Sequence, residues 1–307
     1  MLSKIKSGED QTILQWEQKF VDYLNGHWTG AEDGSHDLGH FQRVWAIAKQ
    51  ISDEEMIRNS GLDIDYCVLV AAAYFHDIHN KRKDDPEAGS SSFISAKTAA
   101  AILKKLQFPE EKIESVKHAI HAHSFSANVL PQTIEAKIIQ DADRMEALGA
   151  LGVARTFYVS GLLGTKPFDV EDPLANNRSL NDKQFALDHF FTKLLKLHDT
   201  MKTDAGIRMS KERSHFLLDF VMRLTAELTE KKEEQFGAIF IAQTFHQSGL
   251  QKLKLFQSND PLARYRSFEP HFYALDELLL RNIEGDSEHS MDFVQYFVEQ
   301  ISEELQA

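Results

Sequence analysis

The stretch Ala71-Ala-Ala-Tyr-Phe-His76-Asp77-Ile78 reads as a helix that closes on an imidazole and a carboxylate, with Ile78 to Asn80 as its end. Two other short helical stretches carry matching groups. Asp37-Leu-Gly-His40-Phe-Gln-Arg43-Val44 lies upstream, and Gln140-Asp141-Ala-Asp143-Arg144-Met145-Glu146 lies well downstream. His40, His76, Asp77 and a downstream aspartate make a mixed nitrogen and oxygen donor set. Such a set suits a divalent ion (Mn, Fe, Co, Ni, Zn or Mg) better than a thiolate-seeking one. Adjacent helical residues point about 100° apart, so a His-Asp pair cannot easily serve one ion from mid-helix; at a helix end the geometry relaxes. Asp141 and Asp143 stand two apart, hence on nearly opposite helix faces, so only one of them can reach a shared ion.

Outward from these motifs, apolar residues recur at spacings of three and four, and sustained period-two alternation is absent. Val44, Ile47, Ala48 and Ile51 form one stripe, and Ala96, Ala99, Ala100, Leu103 and Leu106 a second. A third is Phe191, Leu194, Leu195 and Leu197; a fourth is Phe293, Phe297, Val298 and Ile301. Turn-rich breaks fall at Thr29 to Ser35, at Asp84 to Ser90 and at Asp172 to Asn181. The expected fold is all-α, a helical bundle with additional C-terminal helices.

The chain's 307 residues, 42% hydrophobic and 26% charged, can bury a large core. No apolar run approaches the roughly 18 residues that a membrane span needs, and the N-terminus lacks the apolar core of a signal peptide. The single cysteine, Cys67, excludes an intramolecular disulfide framework and a thiolate zinc site. A cytoplasmic setting is the default expectation. A formal net charge of −13 repels nucleic-acid backbones and argues against duplex binding, while leaving room for a small phosphorylated substrate beside a metal. Asn80-Lys81-Arg82-Lys83 is a compact basic cluster just past the His-Asp pair, and it suits a phosphate clamp.

The order His40, then His76-Asp77, then a distant aspartate resembles the HD-domain metal-dependent phosphohydrolases, most closely a subgroup of small bacterial ones. The resemblance continues through Ala147 to Phe157, His189 to Leu194 and Met201 to Phe216, and it fades after Glu230. It selects Asp143 as the last metal ligand and leaves Asp141 as a surface charge or, with Asp37 and Glu146, as a group that orients the ligands from behind. It implies that Asp77 also holds or deprotonates the attacking water, that Lys81 and Arg144 offset phosphoryl charge, and that Lys81, Arg82, His189 and Lys193 bind substrate, with Arg208 a further pocket candidate. His118, His121 and His123 are candidates for a second metal or a phosphate contact. His118 and His121 share a helix face, which His123 need not join. Gly149 and Gly152 are expected inside a helix, as sites of close packing.

The implied activity is hydrolysis of a phosphate ester or phosphoanhydride, with a nucleotide as the leading substrate class. The alternatives are a binuclear cyclic- or dinucleotide phosphodiesterase, a di-iron oxygenase, and a non-enzymatic nucleotide-binding regulatory module. Residues 1–230 are expected to form the HD domain. The Phe-rich residues 231–307 are expected to be helices packed on it; the alternatives are a surface through which the chain forms a homo-oligomer and a substrate-restricting lid.

Overall fold

The computed structural model describes residues 7–28, 37–79, 90–175 and 177–229, and these fall into two compact units. Residues 231–307, including the fourth apolar stripe and the expected C-terminal helices, lie outside the described residues, as does the basic cluster at 80–83. The described residues contain nine α-helices and no strand; one isolated bridge joins Lys166 and Phe185. No described helix is long and apolar enough to cross a membrane.

The first unit comprises residues up to Ala147 together with Thr200–Ser210. It is built around helix α3 (Tyr66–Phe75), in which every residue from Val68 to Phe75 is buried. A helix that is apolar on every side has to be surrounded. Five helices surround it: α1 (Ser7–His27), α2 (Leu38–Arg58), α4 (Ser91–Lys105), α5 (Ile113–His123) and α6 (Ile134–Met145). Ala71, Ala72 and Ala73 add little bulk, which lets several neighbours approach one helix closely. The large side chains sit toward α1. Phe20 packs edge-on against Phe75 at 4.9 Å, and Trp16 against Phe108 at 4.9 Å. Burial worth about 1.5–3 kcal/mol per large side chain outweighs the mild helix reluctance of Val68 and Val70.

Side-chain caps set where these helices begin. Asp37 Oδ1 accepts from the His40 amide at 2.8 Å, starting α2. Asp65 Oδ1 accepts from the Cys67 and Val68 amides at 3.0 and 3.2 Å, starting α3. Thr133 Oγ1 accepts from the Ala136 amide at 3.2 Å, starting α6. Asp65 does more than cap: its amide donates to Glu135 Oε1, and its other oxygen receives the Lys112 ammonium.

A second tie closes the unit. Asp141 on α6 is fully buried, and its carboxylate accepts from the Lys202 amide, the Thr203 amide and the Thr203 hydroxyl at 2.7–3.0 Å. Thr203 Oγ1 in turn accepts from the Gly206 amide at 3.0 Å, capping α9 (Asp204–Thr229). A Cβ on Gly206 would collide with Asp141 Oδ2 and lie 2.7 Å from Thr203 Oγ1. The close approach therefore requires glycine.

The second unit holds α7 (Gly149–Leu163), α8 (Ala186–Thr192), a 3-10 segment (Leu194–Thr200) and α9 from Lys211 onward. Phe157, Phe190 and Phe220 pack at 5.9–6.1 Å, and Arg178 grips the buried Asp188 through two nitrogens at 2.6 and 2.9 Å. Two expectations need correction here. The third stripe is no single helix, because α8 ends at Thr192 and the chain tightens into the 3-10 segment. Gly149 is not mid-helix: it opens α7 at φ +67°, a conformation that disfavours a side chain.

Replacing Asp141 by alanine leaves the buried Thr203 donors unsatisfied, and it should cost on the order of 3 kcal/mol. Gly206→Ala should also destabilise. In urea titrations both variants should unfold at lower denaturant with an unchanged slope; wild-type midpoints would refute the tie.

Candidate metal centre

Each residue of the His-Asp set sits at a helix end. His40 lies in the first turn of α2, His76 is the residue immediately after α3, His123 is the last residue of α5, and Asp143 is two residues from the end of α6. Three helix C-termini therefore meet one N-terminus. Each C-terminus presents roughly half a negative charge, so the junction favours a cation.

His40 Nε2 and His76 Nε2 face each other at 3.0 Å, and Asp143 Oδ1 lies 3.6 Å from both. Asp77 Oδ2 is 3.9 Å from His76 Nε2, while Asp77 Oδ1 is 3.3 Å from His123 Nε2. The His123 ring stands edge-on to His76 at 4.9 Å. Among the described residues, the donor atoms within 4.8 Å of one another form two overlapping groups: His40, His76 and Asp143, and His76, Asp77 and His123.

The far side of each ring decides what the near side offers. His76 Nδ1 lies 2.9 Å from the Ala73 carbonyl and His123 Nδ1 lies 2.5 Å from the Ile120 carbonyl, so in both rings Nδ1 carries the proton. These carbonyls are available because the last turn of a helix leaves its C=O groups without helical partners. His40 Nδ1 faces Glu146 Oε2 at 3.4 Å, and Arg43 Nε donates to the same oxygen at 2.8 Å. His40 and His76 thus turn their Nε2 atoms toward each other beside a carboxylate. Two imidazole nitrogens and a carboxylate oxygen converging in this way fit a shared cation. The residues present therefore suit a divalent ion on the chemistry of their donors.

The electrostatics agree. Burial, the largest influence, lowers the His40 pKa and favours the neutral ring that ligation needs. Burial alone would raise Asp77 and Asp143, but the surrounding imidazoles hold both carboxyls well below the usual range. Burial alone would also lower His123, yet Asp77, with Asp143 behind it, pushes it up to about 9.

The other expected site residues are placed as follows. Glu146 faces His40 Nδ1. Asp37 reaches the His40 amide and not a ring, so it fixes the helix start. Asp141 turns away from the donor cluster to Lys202 and Thr203. It is no surface charge, and burial raises its pKa. Arg144 Nη1 donates to the Thr200 carbonyl at 2.6 Å, and its guanidinium lies over the Phe125 ring. His118 Nε2 accepts from the Gln132 amide at an exposed position, and His121 packs edge-on to Phe93, so of the three histidines on α5 it is His123 that joins the cluster. His189, 3.1 Å from Asp182, and Lys193, which follows α8, belong to the second unit. Arg208 pairs with Glu54. Lys81 and Arg82 lie outside the described residues. The sequence reading missed the Ala73 and Ile120 carbonyls as ring-orienting groups. The signal available for them was each histidine's place at a helix end.

Comparison with known proteins agrees with this geometry. Residues 37–148 match the HD domain family model. The uncharacterized protein YpgQ of Bacillus subtilis is 31% identical over 201 residues, which cover 64% of this chain and 86% of that protein. A crystal structure of Bacillus subtilis YpgQ in complex with ADP superposes with a TM-score of 0.52 at 28% identity, covering 71% of this chain and 96% of that one. An HD-superfamily hydrolase from Bacillus thuringiensis gives 0.51 at 28% identity, covering 72% and 98%.

Two outcomes are expected. Adding Mn²⁺ at about a hundred times its Kd should stabilise the fold by about 2.7 kcal/mol, read as a higher Tm. His40→Ala should lose most of that gain; an equal gain in both proteins would remove His40 from the site. Without metal, Glu146→Gln should cost on the order of 2 kcal/mol at pH 7. Glu146 titrates below its ordinary 4.5 because, although burial raises it, His40 and Arg43 pull it down further. Its contribution is thus present above 4.5 and lost as pH falls through the folded value. The gap between the two proteins should close in acid, and a gap independent of pH would contradict the Glu146 assignment.

Proposed function

The chain belongs to the HD-domain superfamily, and from its site we propose that it is a divalent-metal-dependent phosphohydrolase acting on a phosphate ester or phosphoanhydride of a small molecule, with a nucleotide as the leading substrate class. One observation carries the reading: the Nε2 atoms of His40 and His76 converge with Asp143 where three helix C-termini meet. The nucleotide part draws support from the ADP bound to the Bacillus subtilis relative.

In this reading His40, His76, Asp77 and Asp143 hold the ion. When bound, the ion lowers the pKa of a coordinated water and polarises a phosphoryl oxygen. Mn, Mg, Co, Ni, Zn and Fe all suit the donors. Glu146 and the Ala73 carbonyl keep Nδ1 protonated on the two ligating rings and aim Nε2 inward. Asp77 stays ionised at neutral pH and can accept a proton, while His123 holds one at Nε2 beside it. Lys81, Arg82 and Arg144 offset substrate charge. Residues 1–230 act as the hydrolase domain in a cytoplasmic setting.

A second reading, a binuclear phosphodiesterase acting on a cyclic nucleotide or a dinucleotide, draws on the overlapping His76, Asp77 and His123 group. Two metal ions per chain by elemental analysis would favour it over the mononuclear hydrolase.

Purified protein with Mn²⁺ should release phosphate or pyrophosphate from members of a panel of nucleotides and phosphomonoesters. His76→Ala and Asp77→Ala should each abolish the release. Wild-type rates in both variants would sink the assignment.

A further inference from the structure

Phe125 is 72% exposed, which is unusual for an aromatic ring whose neighbours belong to a buried polar centre. It stands two residues beyond His123, the end of α5, where Ser124 is extended and Phe125 opens a turn through Asn128. The Arg144 guanidinium covers one face of the ring, with Cζ 5.7 Å from the centroid. Arg144 directly follows Asp143, and the Thr200 carbonyl fixes it in place. The ring is thus tied to two of the helices that form the donor cluster, through His123 on one and Asp143 on the other.

The donor cluster also opens unevenly. The His40 and His76 side chains are fully buried, Asp77 is 14% exposed and Asp143 26%. The most accessible donor is therefore Asp143, which directly precedes Arg144 in the chain. One face of the ring is taken by a cation, and most of the remaining ring meets water.

We propose that Phe125, backed by Arg144, is a base-stacking subsite on which the nucleobase of the substrate lies while its phosphates reach the metal centre. The proposal rests on the nucleotide reading above and adds to it where the base binds. Every base has a π-face, so an aromatic platform of this kind accepts bases without hydrogen-bond readout. The expected specificity is for nucleotides over base-free phosphates, with little discrimination among bases. Arg144 holds the ring in place from beneath through a cation–π contact.

Calorimetric titration of the full-length Mn²⁺-loaded protein with ADP and with pyrophosphate separates the base from the phosphates. Wild type should bind ADP more tightly than pyrophosphate. Phe125→Ala should reduce that preference roughly 10- to 100-fold, and Phe125→Tyr should retain it. An exposed side chain makes misfolding of these variants a minor concern, and melting curves would check it. In Phe125→Trp, ADP should quench emission beyond the response of the three native tryptophans, and pyrophosphate should not. An unchanged ADP preference in Phe125→Ala, or no added quenching in Phe125→Trp, would overturn the subsite while wild-type nucleotide hydrolysis leaves the hydrolase reading standing. A wild type that cleaves phosphomonoesters but neither binds ADP preferentially nor cleaves any nucleotide would overturn the subsite and the nucleotide reading together.

Discussion

Helix α3 has no side of its own to give to water. From Val68 to Phe75 every side chain is buried, so α1, α2, α4, α5 and α6 have to close around it. That one constraint organises the first unit. It also places the end of α3 among the surrounding helices, and the residues at that end are His76 and Asp77. A polar pair in such a place would be costly unless its groups were satisfied. The rings are satisfied on one side by helix-end carbonyls and by Glu146. On the other side they present donors to each other.

The charges at this junction form a consistent set. Helix C-termini bring negative dipole ends, Asp77 and Asp143 bring carboxylates, and burial keeps His40 neutral. Nothing in the inner group of His40, His76 and Asp143 supplies positive charge of its own except by protonation. His123 stands at the edge of that group, and there Asp77 draws a proton onto it. The centre thus has two facing imidazole nitrogens on the His40 side and a proton-holding pair on the His123 side.

Helix α6 shows how much was legible in the sequence. The two-residue spacing of Asp141 and Asp143 established that they face opposite ways, and the structure has them do so. Asp143 joins the imidazoles, and Asp141 anchors the Lys202–Thr203 segment. The partner of Asp141 could not be read, because 61 and 62 residues separate the bonded groups and no local pattern links them. The α5 histidines were open for the same reason. Periodicity separated His123 from His118 and His121, but which face of α5 turns inward depends on what packs against it.

By itself, the sequence determined the helical class, the helix end at His76-Asp77, the acidic and thiolate-poor chemistry, and the division of Asp141 from Asp143. These are local properties, set by side-chain type and by spacing along one helix. Tertiary structure alone decided that His123 and not His118 or His121 meets Asp77, that Asp37 serves a backbone amide, that Gly206 must be glycine, and that Phe125 lies against Arg144. Each of those depends on distances between segments far apart in the chain, which exist only once α3 is enclosed.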